Sequence, residues 1–186
     1  MRRLVDRAAI SAGWVGIGVA ITLALSFLLI IPIEPIYWLL ALPAGLLIGY
    51  YANSRADRRG GPWSRILANG LFAGTVTGLA LAAFLLGIKA LFFYADNGYR
   101  DAAAGGNLAC QVGRDCAWAR YEADRGDALR AAGITDAVLF ERLYWEQQAA
   151  TSVVLLALAA VGGLGGAAIY GTARPRPEQA AGSASV

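Results

Sequence analysis

Residues 8 to 31 form an unbroken run of 24 residues without a charged side chain, and three further apolar runs follow, one of them interrupted by a single charge, Lys89. An α-helix rises about 1.5 Å per residue, so about 20 residues cross the ~30 Å hydrocarbon core of a bilayer. Hydrocarbon holds no water to bond amides and carbonyls, so each run must satisfy its own backbone as a helix. The predicted spans are Ala8–Ile31, Ile36–Ala52, Ile66–Tyr94 and Ala149–Tyr170. Composition agrees: 58% of residues are hydrophobic and 16% are charged, where a soluble domain carries about 45–50% and about 25%. The sequence therefore predicts an all-α membrane protein. Its fold is a four-transmembrane-helix antiparallel bundle with a small helical extracytoplasmic cap between the third and fourth spans. Residues 1–172 make one domain, and residues 173–186, with Pro175, Pro177 and a Gly/Ser/Ala end, read as a disordered tail.

The start, Met1-Arg2-Arg3, has the charge of a signal sequence, but the run behind it exceeds the about 7–15 residues of a signal core. The first span thus reads as an uncleaved helix. Pro32 and Pro35 end one helix and begin the next, which makes the first two spans antiparallel neighbours. The second connection, 53–64, holds Arg55, Arg58 and Arg59. With Arg2, Arg3, Arg7, Arg65, Arg174 and Arg176, these place nine arginines on one side of the membrane. The positive-inside rule then predicts cytoplasmic termini, in the cell membrane, and an extracytoplasmic loop 95–148. Fifteen arginines against one lysine read as codon bias, not as a functional choice.

Within that loop Asn97-Gly98 and Gly105-Gly106-Asn107 are turn signals. Residues 117–132 and 135–148 read as helices, the second capped by Thr135 and running straight into the fourth span. So short a segment is predicted to lack a core of its own.

Small residues recur every fourth position. The third span has Gly70, Gly74, Gly78 and Ala82, the second Ala41, Gly45 and Gly49, the first Ala8, Ala12, Gly16, Ala20 and Ala24, and the fourth Ala159, Gly163, Ala167 and Gly171 beside Gly162 and Gly166. Residues four apart share a helix face. No hydrophobic force joins helices in lipid, so such faces associate through close backbone approach. The plain reading is packing within one bundle. The alternative makes Gly70, Gly74 and Gly78 an outward docking face for another subunit.

Chemistry-bearing residues are few. Histidine is absent and Met1 is the sole methionine, which removes imidazole bases, imidazole metal ligands and the common haem ligands. Cys110 and Cys116, alone in the exported loop, predict a structural disulfide. The competing reading is a redox pair, against which stand the missing C-x-x-C spacing and the lack of a cationic surrounding beyond Arg114, which Asp115 opposes. Lys89, near the outer end of the third span, either snorkels to the interface or contacts an anion, a lipid phosphate or a partner carboxylate, with Glu34 within conceivable reach. Thr22, Ser26, Asn69, Thr75 and Thr77 are too few and too weak for a proton relay. Arg125-Gly126-Asp127 spells an adhesion tripeptide and reads as accidental. Tyr94, Tyr99, Trp118, Tyr121, Phe140, Tyr144 and Trp145 read as packing for the cap or headgroup-level anchors, with an exposed partner surface as the alternative.

A long loop between the third and fourth of four spans is a layout similar to that of tetraspanins. A small four-helix membrane bundle with a cysteine pair is similar to quinone-linked disulfide enzymes. The motifs of both families are missing, so the chain is recognised as a member of neither. No P-loop, dinucleotide fingerprint, metal-ligand cluster or nucleic-acid module is present, and no cofactor is expected. The expected partners are membrane lipids and another membrane protein or a second copy of the chain, with no role for nucleic acid. Three functions follow. The first is a structural, accessory or assembly subunit without enzymatic activity. The second is a membrane thiol–disulfide oxidoreductase using Cys110 and Cys116. The third is a small oligomeric pore or lipid-binding transporter.

Overall fold

The structure, a computed structural model, describes residues 5–30, 33–57, 61–95, 110 and 112–173. The turn signals at Asn97-Gly98 and Gly105-Gly106-Asn107, Tyr99, the arginines at 2, 3, 58, 59, 174 and 176, and the tail lie outside the described residues. Among the described residues all regular structure is helical. It comprises α1 (Arg7–Ala24), which continues as a π-helix over Leu25–Ile30, then α2 (Glu34–Arg55), α3 (Trp63–Ala95), α4 (Arg114–Ala131) and α5 (Ala137–Thr172). Four helices are long and apolar enough to cross a membrane: α1 with its π-helical extension, α2, α3 and α5.

The helices overrun the predicted spans at most ends. α2 begins at Glu34, two residues before the predicted start, because Pro35 suits a first turn and Glu34 places a carboxylate at the positive end of the helix dipole. Arg55 in its last turn complements the negative end. Pro43 lies inside α2 without ending it. At 33 and 36 residues, α3 and α5 span about 50 Å and about 54 Å, well beyond the ~30 Å of hydrocarbon.

Two compact units divide the chain, one within Met1–Phe84 and Val153–Val186, the other Leu85–Ser152. In the first unit α2 and α3 form the centre. They run antiparallel, since Asn53 meets Ile66 at one end and Tyr37 meets Leu81 at the other. α1 lies against both, with Gly16 facing Thr77 and Ile48, and Ala9 and Ala12 clustering with Ile48, Ala52 and Ala73. α5 also lies against both: Gly45 and Gly49 of α2 face Ala159 and Gly163, while Gly70 and Gly78 of α3 face Ala167 and Leu156. Helices adjacent in sequence in this unit are therefore antiparallel.

The second unit holds a core where the sequence predicted none. Phe93, Ala117, Phe140 and Tyr144 are buried together, with Trp118, Leu129, Ile134 and Trp145 packed against them. Aromatic side chains bury about 150–250 Å² each, so a handful suffices when rigid helices hold them. Two glycines set the limits of α4. Gly113, at φ 131, stands before its first turn. Gly133, at φ 78, ends it in a Schellman turn, with Ile134 N donating to Leu129 O at 2.9 Å and Gly133 N to Arg130 O at 3.0 Å. Asp136, not the predicted Thr135, caps α5. Its Oδ1 accepts from the amides of Val138 at 2.8 Å and Leu139 at 2.9 Å, and a carboxylate serves this end of the dipole better than a hydroxyl. From there α5 continues without a break to Thr172, as the sequence predicted.

Candidate functional site

Two seams run along α5 where backbones meet directly. A methyl group built on Gly74 would lie 2.5 Å from Ala159 O and 2.9 Å from Gly163 Cα, and one on Gly70 would lie 2.5 Å from Gly163 O. On the opposite seam, a methyl on Gly49 would lie 2.7 Å from Gly163 Cα, and one on Gly45 2.8 Å from Ala159 Cα. Each of two α5 carbonyls, Ala159 O and Gly163 O, thus has a glycine from α2 on one side and a glycine from α3 on the other. This geometry suits Cα–H···O contacts, worth about 0.5–1 kcal/mol each. Gly162 and Gly166 meet the α2 backbone in the same way, at 2.9 Å from Leu46 N and 2.6 Å from Tyr50 N. Gly70, Gly74 and Gly78 are all turned toward α5, so this face is occupied within the chain.

Hydrogen bonds join other helix pairs, α2 to α3 and the start of α1 to α3. Tyr37 is fully buried, 0% exposed, and its hydroxyl donates to Leu81 O at 2.7 Å. Tyr37 and Trp38 lie together near the start of the second predicted span, where by residue type both suit a membrane interface. Only Trp38, 37% exposed, is open in that way. At the other end of α2, Asn53 Nδ2 donates to Gly49 O at 3.1 Å and to Ile66 O at 3.0 Å. Asn69 joins α3 to the start of α1: its Oδ1 accepts from Asp6 N at 3.0 Å and its Nδ2 donates to Asp6 Oδ2 at 2.9 Å. Tyr37 and Asn53 extend the Ala41, Gly45, Gly49 repeat by one step at each end, a spacing visible in the sequence. Their role in joining helices was missed because one reads as an interfacial aromatic and the other as a turn residue.

Of the polar residues in the predicted spans, Asn69, Thr77 and Thr22 are engaged within the chain. Asn69 and Thr77 are both fully buried, and Thr77 Oγ1 donates to Ala73 O on its own helix at 2.9 Å. Thr75 is half-buried. Thr22 Oγ1 likewise turns back to Gly18 O at 3.0 Å.

In the second unit Cys110 and Cys116 are joined as a disulfide with Cα atoms 5.3 Å apart. Cys116 is 1% exposed, in the first turn of α4 beside the aromatic core. Such burial hinders the in-line approach of an attacking thiolate that exchange requires. Arg114 bridges to Asp115 at 3.7 Å and to Glu141 at 3.5 Å. Glu141 also receives the hydroxyl of Tyr94, which in turn accepts from Trp145 Nε1 at 3.1 Å. One carboxylate therefore links α3, α4 and α5. The Tyr94 and Trp145 rings stack at 6.0 Å. Of the other predicted cap aromatics, Phe140 and Tyr144 are buried, Trp118 and Trp145 are half-buried, and Tyr121 lies on the surface with its ring 4.8 Å from Phe140.

Lys89 is half-buried on the α3 part of this unit and is not without a partner. The helical geometry of α4 breaks at Arg125, and Arg125 and Asp127 are each engaged locally, Arg125 with Asp124 at 3.0 Å and Asp127 with Arg130 at 2.9 Å. Among the described residues no three Cys, Asp or Glu side chains converge as metal ligands. No family model matches the chain, and no match was found among curated proteins or solved structures.

Proposed function

We propose that this chain is a non-enzymatic membrane protein, a structural, accessory or assembly subunit that binds another membrane protein or a second copy of itself. It resides in the cell membrane with both termini in the cytoplasm and residues 95–148 outside. The observation that carries this reading is that, among the described residues, the cysteine pair, three of the buried polar side chains and the glycine faces are used to hold the fold. The cysteines form a disulfide, Asn53, Asn69 and Tyr37 tie helices, and the glycine faces are closed against each other. What remains for the outside is surface: the exposed aromatic edges at Tyr94 and Tyr121, the charged side of α4, and the outer helix faces. The orientation rests on the arginine distribution.

Two measurements test the proposal. Solubilised in mild detergent, the protein should run as an oligomer or with a co-purifying membrane protein, and crosslinking before solubilisation should trap the same species. A strict monomer with nothing attached would overturn it. For orientation, single cysteines placed at Arg58 and at Val112, in a chain with both native cysteines replaced by alanine, are exposed to an impermeant maleimide on intact cells. Labelling is expected at 112 and not at 58, and the reverse pattern would invert the orientation.

A further inference from the structure

We draw no further inference here: the strongest candidate, the shallow apolar groove on the outer face of α1 lined by Val15, Gly18, Val19, Thr22 and Leu23, is an unpartnered small-residue face and nothing in the structure shows what covers it.

Discussion

Two glycines of α5, two residues apart, separate the role of close approach from the ordinary effect of a glycine in a helix. A methyl group on Gly163 would sit 2.9 Å from Gly74 Cα and 3.1 Å from Gly74 N, and would press on Gly70 O as well. Carbon atoms in contact prefer about 3.5–4.0 Å, so Gly163→Ala must push α3 and α5 apart by about 0.5–1 Å. A gap of that size forfeits about a quarter to a half of each contact energy along the seam, and overpacking of this kind costs about 1–3 kcal/mol. The neighbours are backbone atoms, which cannot rotate away. A methyl on Gly165 would meet nothing within 4 Å, so Gly165→Ala is left with the helix-propensity gain of up to about 1 kcal/mol. Both substitutions carry that same gain, so it cancels in the comparison. Gly163→Ala should therefore be about 1–3 kcal/mol less stable than Gly165→Ala. Equilibrium unfolding in mixed detergent micelles, followed by far-UV circular dichroism, measures the difference. Equal stabilities would refute the idea that backbone contact at the glycine seams holds the bundle.

Three further outcomes follow from the same geometry. Tyr37→Phe removes the bond to Leu81 O while keeping the ring; interhelical hydrogen bonds of this kind contribute about 0.6 kcal/mol and up to about 1.7, a loss the same unfolding assay should read, and an unchanged midpoint would remove this bond from the account. Asn69→Ala and Asp6→Ala should each weaken the bundle, and because Asn69 Nδ2 donates to the Asp6 carboxylate, a double-mutant cycle should give a coupling of about 0.5–3 kcal/mol, whereas strict additivity would mean this side-chain bond is incidental; the bond from the Asp6 amide to Asn69 Oδ1 survives in Asp6→Ala and is lost only in Asn69→Ala. Replacing Cys110 and Cys116 by alanine opens the small ring ahead of α4, which should cost about 2–3 kcal/mol in the chain-entropy model and should speed amide hydrogen exchange across α4, while unchanged exchange there would rule out a stabilising staple.

The number of spans and the packing faces were legible because two elementary constraints act on them: helix length against bilayer thickness, and the four-residue spacing that keeps one face in register. α3 shows how far such spacing reaches. Ile66, Gly70, Gly74, Gly78 and Ala82 are buried along one row, and Asn69, Ala73, Thr77 and Leu81 along the next. The glycine row faces α5, while the second row receives α1 at Asn69 and Thr77 and α2 at Leu81. A helix needed on two sides carries two adjacent rows, and the sequence displays both. The identity of each partner helix was not legible, since a glycine face is equally complementary to any other small-residue face.

The helix-joining roles of Tyr37 and Asn53 escaped the sequence for one reason: each turns on a single polar atom whose partner is a backbone group on another helix. Tyr37 reaches Leu81 O and Asn53 reaches Ile66 O, and carbonyls leave no residue-type signature. The cap of α5 was misplaced by one residue because Thr135 and Asp136 are both good capping residues and only the helix start, at Ala137, decides between them. The core of the second unit was underestimated for a different reason. Residue counting treats segment 95–148 as too short to bury much surface, but Phe93 enters that core from the end of a membrane-length helix, and Phe140 and Tyr144 stand on another. A short loop whose two anchors are already rigid helices begins folding with much of its chain entropy already lost, so a few aromatic contacts complete a core that an isolated peptide of the same length could not hold.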